Sequence, residues 1–290
     1  MMKLKLSLKN SVRPALLFSL LICFNLTGCQ CRPIEPTYKE ENLISTVKQI
    51  CKDEYSLDVA TGRTPTTLWV YAPVDKILHK DYGKQEDKIF DDEITEKLRN
   101  ILITIGRVLL SSDHTPEFFV LVISDIKIGI DYAIFANVLD IKKTYADSMP
   151  FTETQKRYVF RFALAPQAIG DKTGKHIQIY DIKLGDFLAQ QITQRVSIIF
   201  QGEDFKKYFK LEKIDGLFNN GNFIFAYSIR ETTRPDKGIN AMKEILDTAA
   251  YCIRTYEFGD FNTLEINDLL RQDKLILNRQ EILTRPLSPK

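Results

Sequence analysis

The side chains with chemistry to offer are few. His79, His114 and His176 are the only imidazoles among 290 residues. No H-x-x-x-H pair and no C-x-x-C occurs, so a zinc site would need ligands from distant elements. The expectation is no metal, no cofactor, and histidines in exposed loops. Ser111, Ser112, Asp113 and His114 include the three residue types of a hydrolase triad. Consecutive residues cannot form that relay, because nucleophile, base and orienting acid come from separate elements. No G-x-S-x-G elbow occurs either. These four read as a helix C-terminus, with His114 near the negative end of its dipole. Asp171, Lys172, Thr173, Gly174 and Lys175 have the flavour of a phosphate loop but lack its first glycine, and a strand rather than a helix is expected after them. They read as a basic hairpin turn. The acids Asp91, Asp92 and Asp140 take no acid or base role without a cleft. Lys156 and Arg157 beside Tyr158 and Phe160 suit either a stacking surface for polymer or an outward sheet edge. No catalytic residue is assigned, and the balance leans away from an enzyme.

The most informative side chain is the thiol of Cys29. It follows a positive segment with Lys3, Lys5, Lys9 and Arg13 and no acid, then an apolar run over residues 15–26 broken only by Ser19 and Asn25. That run is too short for a permanent membrane span, which takes about 20 apolar residues, and suits the core of a secretory signal. It ends Leu26-Thr27-Gly28-Cys29, which resembles the lipobox of bacterial lipoproteins. The resemblance covers the first tenth of the chain only. It implies a diacylglyceryl group on Cys29, cleavage before it, and attachment to a membrane through two or three acyl chains, enough for stable anchoring. Gln30, standing where Asp favours inner-membrane retention in many Gram-negative lipoproteins, leans the expected location to the periplasmic leaflet of the outer membrane.

The whole chain carries a formal charge of +2. Removing the four signal cations from 40 basic residues leaves 36 against 38 acids, about −2. A near-neutral surface argues against nucleic acid as a partner. The expected partners are the membrane, through lipid on Cys29, and another envelope protein. Beyond Cys29 a mature chain would keep Cys31, Cys51 and Cys252. Cys51 and Cys252 fall on apolar faces of the first and last long helices. They could bridge if those helices pack together, closing a loop worth a few kcal/mol in the chain-entropy model; the alternative is two buried free thiols.

The elements that would position these residues follow from periodicity. Helices are expected over residues 41–53, from Asp91 or Asp92 to about 109, over 187–200 with Asp186 as cap, over 240–256, and over 266–276. Strands are expected over 67–72, 118–126, 132–139, 157–164, 177–182 and 223–229, with turns at Gly129, 171–174 and 219–222. In residues 157–164, Tyr158, Phe160, Phe162 and Leu164 share one face. Residues 80–88 read as a charged loop and 144–155 as a polar loop. The expected organisation is a signal peptide at 1–28, a lipidated tether at 29–40, one α+β domain at 41–276 and a tail at 277–290. Its architecture is a mostly antiparallel or mixed sheet of about five strands packed with four or so helices. The leading functional expectation is an envelope-anchored, non-enzymatic adaptor or assembly factor. The alternatives are a periplasm-facing hydrolase acting on envelope polymer and a receptor for a small apolar ligand.

Overall fold

The computed structural model describes residues 37–79, 89–236 and 238–286. Cys29 and the whole signal and tether up to residue 36, the charged loop at 80–88 and the last four residues lie outside them. Residues 37–290 cluster as one compact unit.

The first sheet has the order β1 (Ala60–Arg63), β2 (Thr67–Val74), β3 (Phe118–Asp125), β4 (Ile130–Asn137), β5 (Val159–Leu164). β2 and β3 run parallel and the other pairs antiparallel. A parallel pair needs a crossover, and α2 (Asp92–Leu110) supplies it. Its N-cap is Asp91, which accepts from the Glu93 amide at 3.2 Å, with Asp92 and Glu93 in the first turn, where acids suit the dipole. All eight residues of β3 are buried. Its apolar run does not alternate because both faces are covered. Leu68, Val70, Phe119, Leu121 and Ile123 share a core with α1 (Leu43–Tyr55) and α2. Trp69, Tyr71, Phe118, Val120 and Val122 face a second core built with α5 (Leu184–Gln201) and α7 (Ala241–Thr255).

That second core also receives the inner face of another sheet, ordered β6 (Phe209–Asn219), β7 (Asn222–Glu231), β8 (Thr263–Asp268), β9 (Asp273–Asn278). Here burial alternates strictly: Phe223, Phe225, Tyr227 and Ile229 point inward while the residues between them are part-exposed. The β6–β7 turn carries Asn220 at φ 49° and Gly221 at φ 75°, the left-handed pair a tight hairpin turn demands. The layers are therefore helices, five-stranded sheet, helices, four-stranded sheet. The fold is α+β with mixed sheets, and the strands divide into two sheets rather than one.

Several segments depart from the expectations. Residues 144–155 are not a loop: α3 (Val138–Tyr145) and α4 (Phe151–Arg157) span most of this stretch. Asn137 caps α3, accepting from the Leu139 amide at 2.9 Å, and Asp140 and Arg157 cross-link the pair. β6 has no counterpart in the expected elements. A register shift between Leu211 and Lys213 puts its inward residues out of phase and breaks the period of two. Residues 266–276 form the β8–β9 hairpin, not a helix. Ile266, Leu269 and Leu270 mimic helical spacing, but Asp268 accepts from the amides of Leu270 and Arg271 and turns the chain there. Residues 177–182 form no strand, and α5 begins at Leu184 with Asp186 in its first turn rather than as cap.

The two ends of the unit also reach further than expected. Tyr38 bridges to Ser112, and the Glu40 amide donates to Asp113 at 2.8 Å. α6 (Glu203–Lys206) leads into β6, and α8 (Arg279–Leu283) closes the fold with a capping box and a fully buried Ile282. Of the two alternatives for Cys51 and Cys252, the structure has the unbridged one: no disulfide joins them and both are buried. Cys51 lies in the core on one face of the five-stranded sheet and Cys252 in the core on the other, so the sheet stands between them.

Candidate functional site

The sequence candidates scatter. Ser111 caps α2, and the Ser112 hydroxyl donates to the Val108 carbonyl at 2.8 Å. Asp113 accepts from the amides of Glu40 and His114. This is a turn that receives the incoming chain, not a relay. Asp91 is a helix cap.

Of the histidines expected in exposed loops only His114 is exposed; His79 is half-buried, and the His176 side chain is 3% exposed. Nδ1 lies 2.7 Å from Asp171 Oδ2 and Nε2 3.3 Å from Asp131 Oδ2. Ser124 donates its hydroxyl to Asp131, and the Tyr71 ring meets the imidazole edge-on at 5.4 Å. The Tyr71 hydroxyl donates to the Asp171 carbonyl at 2.5 Å, and burial pushes its proton affinity up to about 12. Burial works against ionisation of the Asp171 carboxyl, but hydrogen bonds from the His176 ring and amide and from Thr173 outweigh it and hold the group well below the usual carboxylate range. Serine, acid and imidazole are together here, yet the serine is bonded to the acid and not to the ring. The order needed for nucleophilic activation is missing.

What this cluster does is fasten a strap. Residues 165–183 cross the second core's face of the five-stranded sheet. The Trp69 indole donates to the Tyr180 carbonyl at 3.0 Å. Asp181 accepts from Thr64, from the Thr66 amide and from the Thr66 hydroxyl. The Ile182 amide donates to Thr67 at 2.9 Å.

A second buried network braces α3 and α4 against α5 and α7. Arg157 donates to Asp140 at 2.8 Å and to Glu153 at 3.0 Å. Arg195 forks onto both Glu153 oxygens at 2.9 and 3.1 Å. The Tyr256 hydroxyl donates to Asp140, and Gln191 donates to Tyr256 and to the Arg157 carbonyl. Two cations face two anions. Among the described residues no buried side-chain nitrogen or oxygen lacks a partner. Burial opposes the Arg157 charge, and Asp140 and Glu153 more than restore it. Such a closed network supports the fold and leaves nothing free to act on a substrate.

The open feature is the outer edge of β5. Among the described residues no strand pairs with it. Phe160, Phe162 and Leu164, at 38%, 49% and 83% exposure, project from one face. They continue an aromatic row: Phe162 packs on Tyr132 at 4.7 Å and on Phe90 at 6.0 Å, and Phe160 stacks on Tyr132 at 6.1 Å. The direction of the backbone groups is fixed at both ends. Gln194 on α5 accepts from the Phe160 amide at 2.8 Å and donates to the Tyr158 carbonyl at 2.7 Å, while the Ala165 amide turns inward to the Gly129 carbonyl. Alternation along a strand then aims the amides and carbonyls of Phe162 and Leu164 outward. An exposed edge with apolar side chains is what soluble proteins usually suppress. Neither sequence reading of residues 156–160 holds for the whole stretch: Lys156 and Arg157 end α4 and Tyr158 caps it, and only Phe160 lies on the sheet edge.

The sequence signal for this edge was the shared face of Tyr158, Phe160, Phe162 and Leu164. Its exposure had no local signal, because apolar alternation reads the same for a buried strand. Comparison of the chain with protein-family models, curated proteins and solved structures returns no match.

Proposed function

We propose that this chain is a cell-envelope lipoprotein, held to a membrane through lipid on Cys29, whose folded unit is a non-enzymatic adaptor or assembly factor for another envelope protein. The anchor reading rests on the cationic segment, the short apolar run and Leu26-Thr27-Gly28-Cys29. Gln30 is the reason to favour the outer membrane. The adaptor reading is carried by the β5 edge: outward amides and carbonyls at Phe162 and Leu164 beside exposed Phe160, Phe162 and Leu164. Adding a strand to such an edge lets backbone hydrogen bonds supply affinity and alternate side chains supply selectivity. The hydrolase alternative is weakened by the Ser124, Asp131 and His176 cluster, whose groups are spent on one another.

Intact mass of detergent-extracted protein tests the anchor: an unmodified chain starting at Met1 overturns it. A photo-crosslinking residue in place of Leu164, in the full lipidated chain in cells, tests the adaptor. One discrete envelope protein should be captured, and Phe160→Ser with Phe162→Ser should abolish the adduct. Capture only of abundant bystanders, or an adduct indifferent to those changes, refutes the reading.

A further inference from the structure

We infer that the segment received at β5 is an extended stretch of a partner protein with apolar side chains on one face and a carboxylate on the other, set against Arg161. This rests on the adaptor reading and specifies the chemistry of its partner.

A strand laid on the edge alternates its side chains between the two faces of the sheet. Residues opposite Phe160, Phe162 and Leu164 fall on the aromatic row and gain by being apolar. Residues between them fall on the opposite face, where β5 presents Arg161 and Ala163. The Arg161 guanidinium lies over the Phe135 ring at 5.3 Å. It forms no ion pair with any described residue, unlike Arg157 and Arg195 nearby. It borders a cleft of about 360 Å³ walled by Phe135, Val159, Tyr180 and Phe187. Asp181, Lys183 and Asp186 also line the cleft, but the Asp181 carboxylate is held by Thr64 and Thr66, and Arg161 makes no ion pair with either acid. A guanidinium on an aromatic face beside an apolar cleft suits a carboxylate on a short apolar stem.

Register follows from Gln194. Its amide already serves the Tyr158 carbonyl and the Phe160 amide, so an incoming strand takes its rungs at Phe162 and Leu164. The residue between those rungs faces Ala163 and lies diagonal to Arg161, within reach of a long side chain. A second copy of this chain fits less well. Antiparallel pairing of β5 with itself about Phe162 sets Arg161 against Ala163 and leaves both guanidinia without an acid.

The test uses full-length detergent-solubilised protein and fluorescein-labelled peptides read by anisotropy at low salt. The probe is Gly-Ile-Glu-Ile-Glu-Ile-Gly, and the control replaces both Glu by Lys. The acidic peptide should bind about tenfold more tightly than the basic one, as exchange of attraction for repulsion across a strand pair implies. Arg161→Glu should reverse that order, and Phe162→Ser should weaken both. Arg161 is exposed, and circular dichroism checks that each variant is folded. Equal binding of the two peptides, or an order that Arg161→Glu leaves unchanged, overturns the carboxylate inference; the edge reading survives if Phe162→Ser still weakens both. No measurable binding of either peptide, or binding indifferent to Phe162→Ser, overturns both.

Discussion

Replacing Asp140 by Asn tests whether the buried brace is an ion-pair network or an incidental set of contacts. Asp140 is 1% exposed and is the partner of Arg157 Nη1, while Glu153 is shared between Arg157 and Arg195. Without the Asp140 charge, two buried arginines face a single carboxylate. Stranding a buried charge costs about 3–5 kcal/mol. Asn keeps an oxygen that can accept one of the two lost bonds, which places the expected loss near the lower end, about 3 kcal/mol. For a unit of this size that corresponds to a fall in Tm of roughly 6–12 °C. Trp69, buried against Tyr180 and Phe135, supplies the fluorescence signal, and urea unfolding supplies the free energy. The decisive measurement is the second background. In Arg157→Met the cation is gone and Asp140 is itself the stranded charge, so Asp140→Asn should be neutral or stabilising there. Equal losses in the two backgrounds would refute the network, because independent sites add and coupled ones do not.

Asp171→Asn should lower Tm at pH 7. Its carboxyl is depressed in the fold, so it contributes stability above the unfolded value of about 4 and loses it as pH falls; the gap between variant and wild type should therefore narrow below about pH 4 in thermal melts. Gly174→Ala should cost about 1–3 kcal/mol in urea unfolding, because the residue sits at φ 74° and a Cβ would come within 2.8 Å of the Tyr71 ring. Leu121→Ala, at a fully buried position of β3, should cost about 3 kcal/mol by the same assay. Alkylation in urea without reductant, followed by peptide mass mapping, should label both Cys51 and Cys252; protection of the pair would contradict the absence of a bridge between them.

Much of the scaffold could be read from the chain alone. α2 and α7 show their inward faces as apolar residues three and four apart, and β3 shows double coverage as an unbroken apolar run. Such patterns are local, because burial of a helix face or strand follows the period of its own backbone. The α+β class followed from them. What the chain alone did not reveal depends on distant contacts. His176 looks like a loop residue until the strap brings it to Asp131 and Ser124. Asp140 looks like one more surface acid until Tyr256, 116 positions away, donates to it. β6 was hidden by its bulge, which breaks the period the eye relies on. The β5 edge belongs to this second class. Its alternation was legible from residues 158–164, but whether another strand covers it is a property of the assembled sheet. No local pattern records which side of a strand is left without a neighbour.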